Sequence, residues 1–137
     1  MDAAAAAAEP HKPVVLIIED EATVRRTIVL FFARAGYEVL EATSAAEGRA
    51  QWDAHQGRIT AVVSDNMLGA GPTGLSLLRQ LLVARPALAT VLISGVLTFD
   101  VIHSIETAST IRCLQKPFEF RALVELVARR TRELAPA

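Results

Sequence analysis

Two adjacent acids, a third acid, a hydroxyl and an ammonium recur at the ends of aliphatic runs in this chain. Glu19 and Asp20 follow VVLII, Asp65 closes ITAVVSD, Ser94 closes ATVLIS, and Lys116 follows IRCLQ. Carboxylates brought close together repel one another, and partial burial adds a desolvation cost. A divalent cation relieves both. Oxygen-only ligation by Glu19, Asp20 and Asp65 selects a hard ion, Mg²⁺ first, with Mn²⁺ or Ca²⁺ as substitutes. Lys116 adds a second positive charge and Ser94 adds a donor. Together these groups are the parts of a phosphoryl-transfer site. Asp65 is the candidate nucleophile, because a carboxylate can accept a phosphoryl group as an acyl phosphate. Each residue alone has an ordinary explanation: a solvated strand end, a helix N-cap, a capping hydroxyl, a surface lysine.

These groups act together only if the fold brings the run ends to one place. The periodicity predicts that it does. VVLII has the length and β-branched content of a strand buried on both faces. A helix is predicted over 22–35, with Val24, Ile28, Phe31 and Ala35 on its inner face and Gly36 as its stop. A strand follows over 37–42. A helix from Ser44 to about Gln56 opens with a capping box between Ser44 and Glu47. Strand 59–65 leads into the Gly/Pro-containing loop NMLGAGPTG, then helix 75–85. Strand 89–95, helix 100–109 with Val101, Ile102 and Ile105 inward, strand 111–115 and a last helix to about Leu134 complete the pattern. Strict alternation of strands and helices implies a doubly wound α/β fold, a parallel sheet with helices on both faces. In such folds the ligand site lies beyond the carboxyl ends of the strands. A strand order of 2-1-3-4-5 would converge all the candidate residues there.

The composition suits one globular domain. The chain has 137 residues, 52% of them hydrophobic and 21% charged, with a formal net charge of -1. That charge predicts no general attraction to nucleic acid or to an anionic membrane. No apolar run is long enough to span a bilayer. The single cysteine, Cys113, makes no internal disulfide and fits a reducing, cytoplasmic setting. Residues 1–11 read as a flexible alanine-rich tail rather than a signal peptide, and 12–137 as the domain. His11, His55 and His103 lack metal-ligand spacing and are expected at the surface. Trp52 is expected to pack near the second helix, and Arg129, Arg130 and Arg132 to form a solvated helix face.

In their order and placement, IIEDE, VVSDNM, LISG and LQKPF resemble the receiver domain of bacterial two-component response regulators, over about Lys12 to Leu134. The resemblance implies a flavodoxin-like (βα)5 fold and a role for each residue. Asp65 is the phosphoacceptor. Asp20 ligates Mg²⁺ directly, Glu19 assists through water, and the backbone carbonyl of Met67 is a further ligand. Ser94 is the switch hydroxyl and Lys116 contacts the phosphate. The bond before Pro117 is cis. The implied partners are a histidine kinase or histidine phosphotransfer protein upstream and a protein target downstream. The changed face is that of the fourth helix, fifth strand and fifth helix, with Ile102, Ile105, Cys113 and Phe120 as its candidate residues. A homodimer is compatible with the resemblance, direct nucleic-acid binding is not expected, and catalysis is confined to the domain's own phosphorylation and dephosphorylation. Met1 before the tail favours a stand-alone regulator or phosphate shuttle over a piece of a hybrid kinase.

The chain departs from the family pattern in four places. Gly69 stands where a proline is usual, and Gly74 comes one residue later than the usual glycine. Cys113 replaces an aromatic that turns inward on switching, so weaker or altered coupling to the surface is expected. Gly95 replaces a common alanine and leaves room for phosphate. Met67 and Val96 flank the expected water path and cannot hold a water by hydrogen bonding, so slow self-dephosphorylation is expected. These departures keep two other functions open. One is a degenerate receiver that binds partners without phosphorylation. The other is a small aspartate-nucleophile phosphatase, although Met67 stands where that class needs a second acid.

Overall fold

A computed structural model describes residues 12–136, so the tail expected over 1–11 lies outside the described residues. The order is β1 (Val14–Ile18), α1 (Ala22–Arg34), β2 (Glu38–Ala42), α2 (Ala45–His55), β3 (Ile59–Asp65), α3 (Gly74–Ala84), β4 (Ala89–Ser94), α4 (Phe99–Ala108), β5 (Arg112–Gln115) and α5 (Phe120–Leu134). The strands form one parallel sheet in the order β2-β1-β3-β4-β5. This is the doubly wound parallel sheet expected from the alternation, in the flavodoxin-like order that the resemblance implies.

The sheet divides the core in two. Leu16, Ile18, Val62 and Leu92 point to one face and pack with Trp52 of α2, Leu77, Leu78 and Leu81 of α3, and Ile105 of α4. Val15, Ile17, Val63, Val91 and Ile93 point to the other and meet Ile28 and Phe32 of α1 and Leu123 and Val127 of α5. Successive strand residues alternate between the faces, so both cores come from unbroken aliphatic runs. All five residues of β1 are buried.

The turns carry local signals. Gly36 has φ 95, the left-handed stop expected after α1. Ser44 Oγ accepts from Glu47 N–H at 3.1 Å, while the Glu47 carboxylate reaches one residue past the cap, to Thr43 N–H at 2.7 Å and Thr43 Oγ1 at 2.8 Å. Thr73 and Thr98 cap α3 and α4 with their hydroxyls.

Several expected placements change. Phe32, not Phe31, is the buried aromatic of α1; Phe31 is half-buried and its ring stacks on Phe120 at 5.5 Å. Ala35 is the exposed C-cap, because the helix ends at Arg34. Val101, on the first turn of α4, is exposed, although it precedes the buried Ile105 by four residues. His55 is half-buried beside Arg58, while His103 is exposed and stacks on Phe99 at 6.2 Å. Trp52 is buried within α2 beneath the Arg85 guanidinium, which lies 4.7 Å from its ring centre. Arg129 and Arg132 are exposed as expected, but Arg130 is buried: its fork donates to Glu133 at 2.7 Å and to the Thr110 carbonyl at 3.1 Å, which joins α5 to the approach of β5. Such a guanidinium buries its stem and keeps its charge paired.

Candidate functional site

The carboxyl ends of β1, β3, β4 and β5 lie side by side, and the candidate residues gather there. Glu19 and Asp20 leave β1, Asp65 ends β3, Ser94 ends β4 and Lys116 leaves β5. Backbone bonds lock these ends together: Glu19 N–H donates to Ala42 O at 3.0 Å, Asn66 N–H to Ile93 O at 2.9 Å, and Lys116 N–H to Ser94 O at 3.0 Å.

Lys116 is the centre of the site. Its Nζ lies 2.5 Å from Asp65 Oδ2 and 3.4 Å from Glu19 Oε1. Oxygens of Glu19, Asp20 and Asp65 lie within 4.8 Å of one another. Glu19 and Asp65 are buried, whereas Asp20 is exposed at the mouth. Burial pushes the Glu19 carboxyl up to about 7. The Asp65 charge and a bond with Asp20 push the same way, against the Glu21 N–H bond and Lys116. Burial by itself would lower the Lys116 ammonium, but its bond to Asp65 and the charges of Glu19 and Asp65 outweigh it and hold the group above its ordinary value. One ammonium thus serves two buried carboxylates, and a third carboxylate stands at the opening. This donor set fits a hard divalent cation: oxygen-only, excess negative charge, open on one side.

The surrounding loops are built to bring backbone close. Met67 N–H donates to Asp65 Oδ1 at 3.1 Å, so the main chain of Met67 sits against the acid, while its side chain is 59% exposed. The Ser94 hydroxyl is buried and accepts from Val96 N–H at 3.2 Å. The Lys116–Pro117 bond is cis. Gly69 and Gly71 have φ 78 and 98. A proline cannot adopt such a φ, which accounts for its replacement at position 69 in this lengthened loop. Gly74 begins α3 directly against the acid: a Cβ there would lie 2.0 Å from the Asp65 carbonyl oxygen. At Gly95 an added Cβ would meet only Lys116 Cβ, at 3.6 Å.

The switch and surface candidates are more scattered. Cys113 is half-buried, and burial, then the Glu106 charge, pushes its thiol up to about 11, so it stays protonated at neutral pH. Its N–H donates to Glu106 Oε2 at 2.8 Å. Ile102 is half-buried on α4. Ile105 is buried in the core and supports that face from beneath. The half-buried Phe120 packs its ring against Phe31 and Phe118, on the α1 side of α5. The exposed apolar groups near the site are instead Met67, Val96 at 71% and Phe99 at 78%.

Two residues outside the motifs also shape the site. Arg25 donates to the Glu19 carbonyl, and Asn66 closes the loop after β3 by accepting from Gly74 N–H at 3.0 Å and, on its side chain, from Leu75 N–H at 3.2 Å. An arginine on a first helical turn and an Asn after a strand are too common to mark in a sequence.

Residues 15–128 match the response regulator receiver domain family, and the chain belongs to it. It is a receiver domain of two-component signalling. A response regulator receiver domain protein from Clostridium thermocellum shares the fold with TM-score 0.80 and 23% identity, over 88% of this chain and 95% of that one. One from Sinorhizobium medicae matches with TM-score 0.80 and 21% identity, over 91% and 98%. The receiver domain of the hybrid histidine kinase CckA matches with TM-score 0.71 and 26% identity, over 86% and 98%. No curated protein matches the chain. No helix among the described residues is long and apolar enough to cross a membrane.

Proposed function

We propose that this receiver is phosphorylated on Asp65 in a Mg²⁺-dependent reaction with a histidine kinase or phosphotransfer protein, and that phosphorylation changes how it meets a protein target. The observation that carries this reading is Lys116 Nζ, 2.5 Å from Asp65 and 3.4 Å from Glu19, beside three carboxylates within 4.8 Å. A degenerate interaction module would have no use for such a costly cluster, which needs a second cation to balance it.

Glu19, Asp20, Asp65 and the Met67 carbonyl would hold the metal, with Mn²⁺ or Ca²⁺ able to replace it. Bound there, it would neutralise the carboxylates and stabilise charge on the phosphoryl oxygens. A carboxylate oxygen of Asp65 attacks the phosphorus of a phosphohistidine. The new O–P bond forms as the P–N bond breaks, and the imidazole leaves with the electron pair and is reprotonated. Lys116 pairs with the phosphoryl charge in place of the carboxylate it holds now. Ser94, freed from Val96 N–H, donates to a phosphoryl oxygen. That movement biases the α4 and β5 surface, where Cys113 fills less space than an aromatic would.

The test is intact mass after incubation with Mg²⁺ and acetyl phosphate. One added phosphoryl group is expected, absent in Asp65→Asn and absent without metal. A folded protein that gains nothing would return the chain to the degenerate module. The output partner, a cytoplasmic setting and a homodimer belong to the same reading, and pull-down of the phosphorylated against the unphosphorylated protein tests the first.

A further inference from the structure

Arg25 stands beside the acidic site without belonging to its ligand set. It lies in the first turn of α1, and its side chain is only 15% exposed. Nη1 donates to the Glu19 carbonyl oxygen at 3.0 Å, and Nε donates to Glu41 Oε1 at 3.2 Å. The guanidinium therefore spans from the end of β1 to the end of β2.

The carbonyl it holds has a special place. It belongs to the peptide that joins Glu19 to Asp20. That peptide is planar, so orienting its oxygen fixes one backbone dihedral on each side. Those two dihedrals set where Asp20 and its side chain leave the chain relative to Glu19, and so how the two carboxylates can converge. The neighbouring anchors are main-chain bonds: Glu19 N–H to Ala42 O at 3.0 Å and Arg25 N–H to Glu21 O at 2.9 Å. Between them, the Arg25 side chain supplies the grip on the peptide itself. A rigid fork suits this double contact better than a single ammonium.

We propose that Arg25 is a positioning residue for the acidic pair, holding the Glu19–Asp20 peptide so that both carboxylates meet a divalent cation with Asp65. The inference rests on the reading of the site as a cation site. It makes a prediction opposite in sign to simple electrostatics. Arg25 is a positive charge next to that site, so its removal should by charge alone tighten cation binding. If it positions the ligands, its removal weakens binding.

The experiment measures Mn²⁺ affinity, by electron paramagnetic resonance of the free ion and by calorimetry, with no phosphodonor present. Wild type, Arg25→Ala and Arg25→Lys are compared, with thermal midpoints recorded alongside. Arg25→Ala is expected to weaken Mn²⁺ binding about 10-fold, the scale typical of losing a group that orients a metal ligand. Arg25→Lys keeps the charge and one donor, loses the span to Glu41, and is expected to fall between Ala and wild type. If the alanine variant fails to fold, the lysine variant carries the test. Unchanged or tighter binding in the folded variants, whatever happens to the midpoint, overturns the positioning role. A wild type that binds no Mn²⁺ overturns the cation site, and this inference with it.

Discussion

Glu19→Gln should remove a pH dependence from the stability of the metal-free protein. In the folded chain burial holds the Glu19 carboxyl near 7, with help from the Asp65 charge, against an ordinary value of 4.5. The unfolded chain releases this proton near the ordinary value. Between the two, the unfolded state binds fewer protons than the folded state, so stability falls as pH rises. The contribution is whole below about pH 4.5 and gone above about pH 7. A move from 4.5 to about 7 at ~1.4 kcal/mol per pH unit makes the full loss about 3.5 kcal/mol. Roughly 2.5 kcal/mol of it falls between pH 5 and pH 8. The site is open at Asp20, and water there screens the charges, which brings the expected loss to about 1–2 kcal/mol.

Urea denaturation of both proteins in chelator, at pH 5 and pH 8, reads this directly. Glutamine keeps an acceptor for the Glu21 N–H, which bonds Glu19 Oε2 at 3.1 Å, and cannot titrate. Its amide beside Lys116 adds an offset, but an offset common to both pH values. Lys116 itself is held above its ordinary value and stays charged across this range. The quantity of interest is therefore the change in the difference between the two proteins. Wild type should lose about 1–2 kcal/mol relative to the variant on going from pH 5 to pH 8. Excess Mg²⁺ at pH 8 should stabilise wild type more than the variant, which keeps Asp20, Asp65 and the Met67 carbonyl but loses one carboxylate. A difference that stays constant with pH would mean that Glu19 is solvated like a surface acid, and would refute the burial argument.

Other consequences can be checked singly. Gly74→Ala must push backbone away from the Asp65 carbonyl, since its Cβ would lie 2.0 Å from that oxygen; a loss of about 3 kcal/mol or more in urea denaturation is expected, and a near-neutral result would show that α3 yields easily. Gly95→Ala meets only ordinary contact at 3.6 Å and should change stability by less than about 1 kcal/mol, with phosphorylation by acetyl phosphate retained. The phosphorylated protein should persist for minutes or longer, because Met67 and Val96 are exposed and apolar; Met67→Glu, which can hold a water, should shorten that life several-fold, and a wild-type lifetime of seconds would sink the reasoning.

Much of the fold was legible because it is written in apolar periodicity. The runs at Val14, Ile59 and Ala89 are unbroken, and only a strand covered on both faces needs that. Their order, with amphipathic stretches between, leaves little choice of topology. The candidate site was legible for a related reason. Acids are depleted from strand interiors, so Asp65 at the end of seven strand residues stands out, and the sheet then carries Glu19, Asp65, Ser94 and Lys116 to one edge. What period alone decides poorly is which of two adjacent apolar residues turns inward. Phe31 and Phe32 are both on the inner side of α1; the sheet takes Phe32, and Phe31 is left to meet Phe120 across the helix pair.

The residues that escaped notice act through contacts with no period. Arg130 looks like its exposed neighbours Arg129 and Arg132, yet it is buried, because a carbonyl at Thr110, twenty residues away, takes its fork. Arg25 looks like a solvated helix charge, yet its partners are a carbonyl at the end of β1 and a carboxylate at the end of β2. In both cases the guanidinium satisfies main-chain oxygens where elements end, which only the tertiary fold brings within reach. The resemblance marks Gly74 but not the reason for it. Gly69 and Gly71, before it in LGAGPTG, take positive φ in open space. Gly74 is needed for the opposite reason: Asp65 main chain fills the volume a side chain would occupy. The phosphoacceptor candidate can therefore be named from its own strand, but the precision of its placement comes from a helix start nine residues on that must come almost into contact with it.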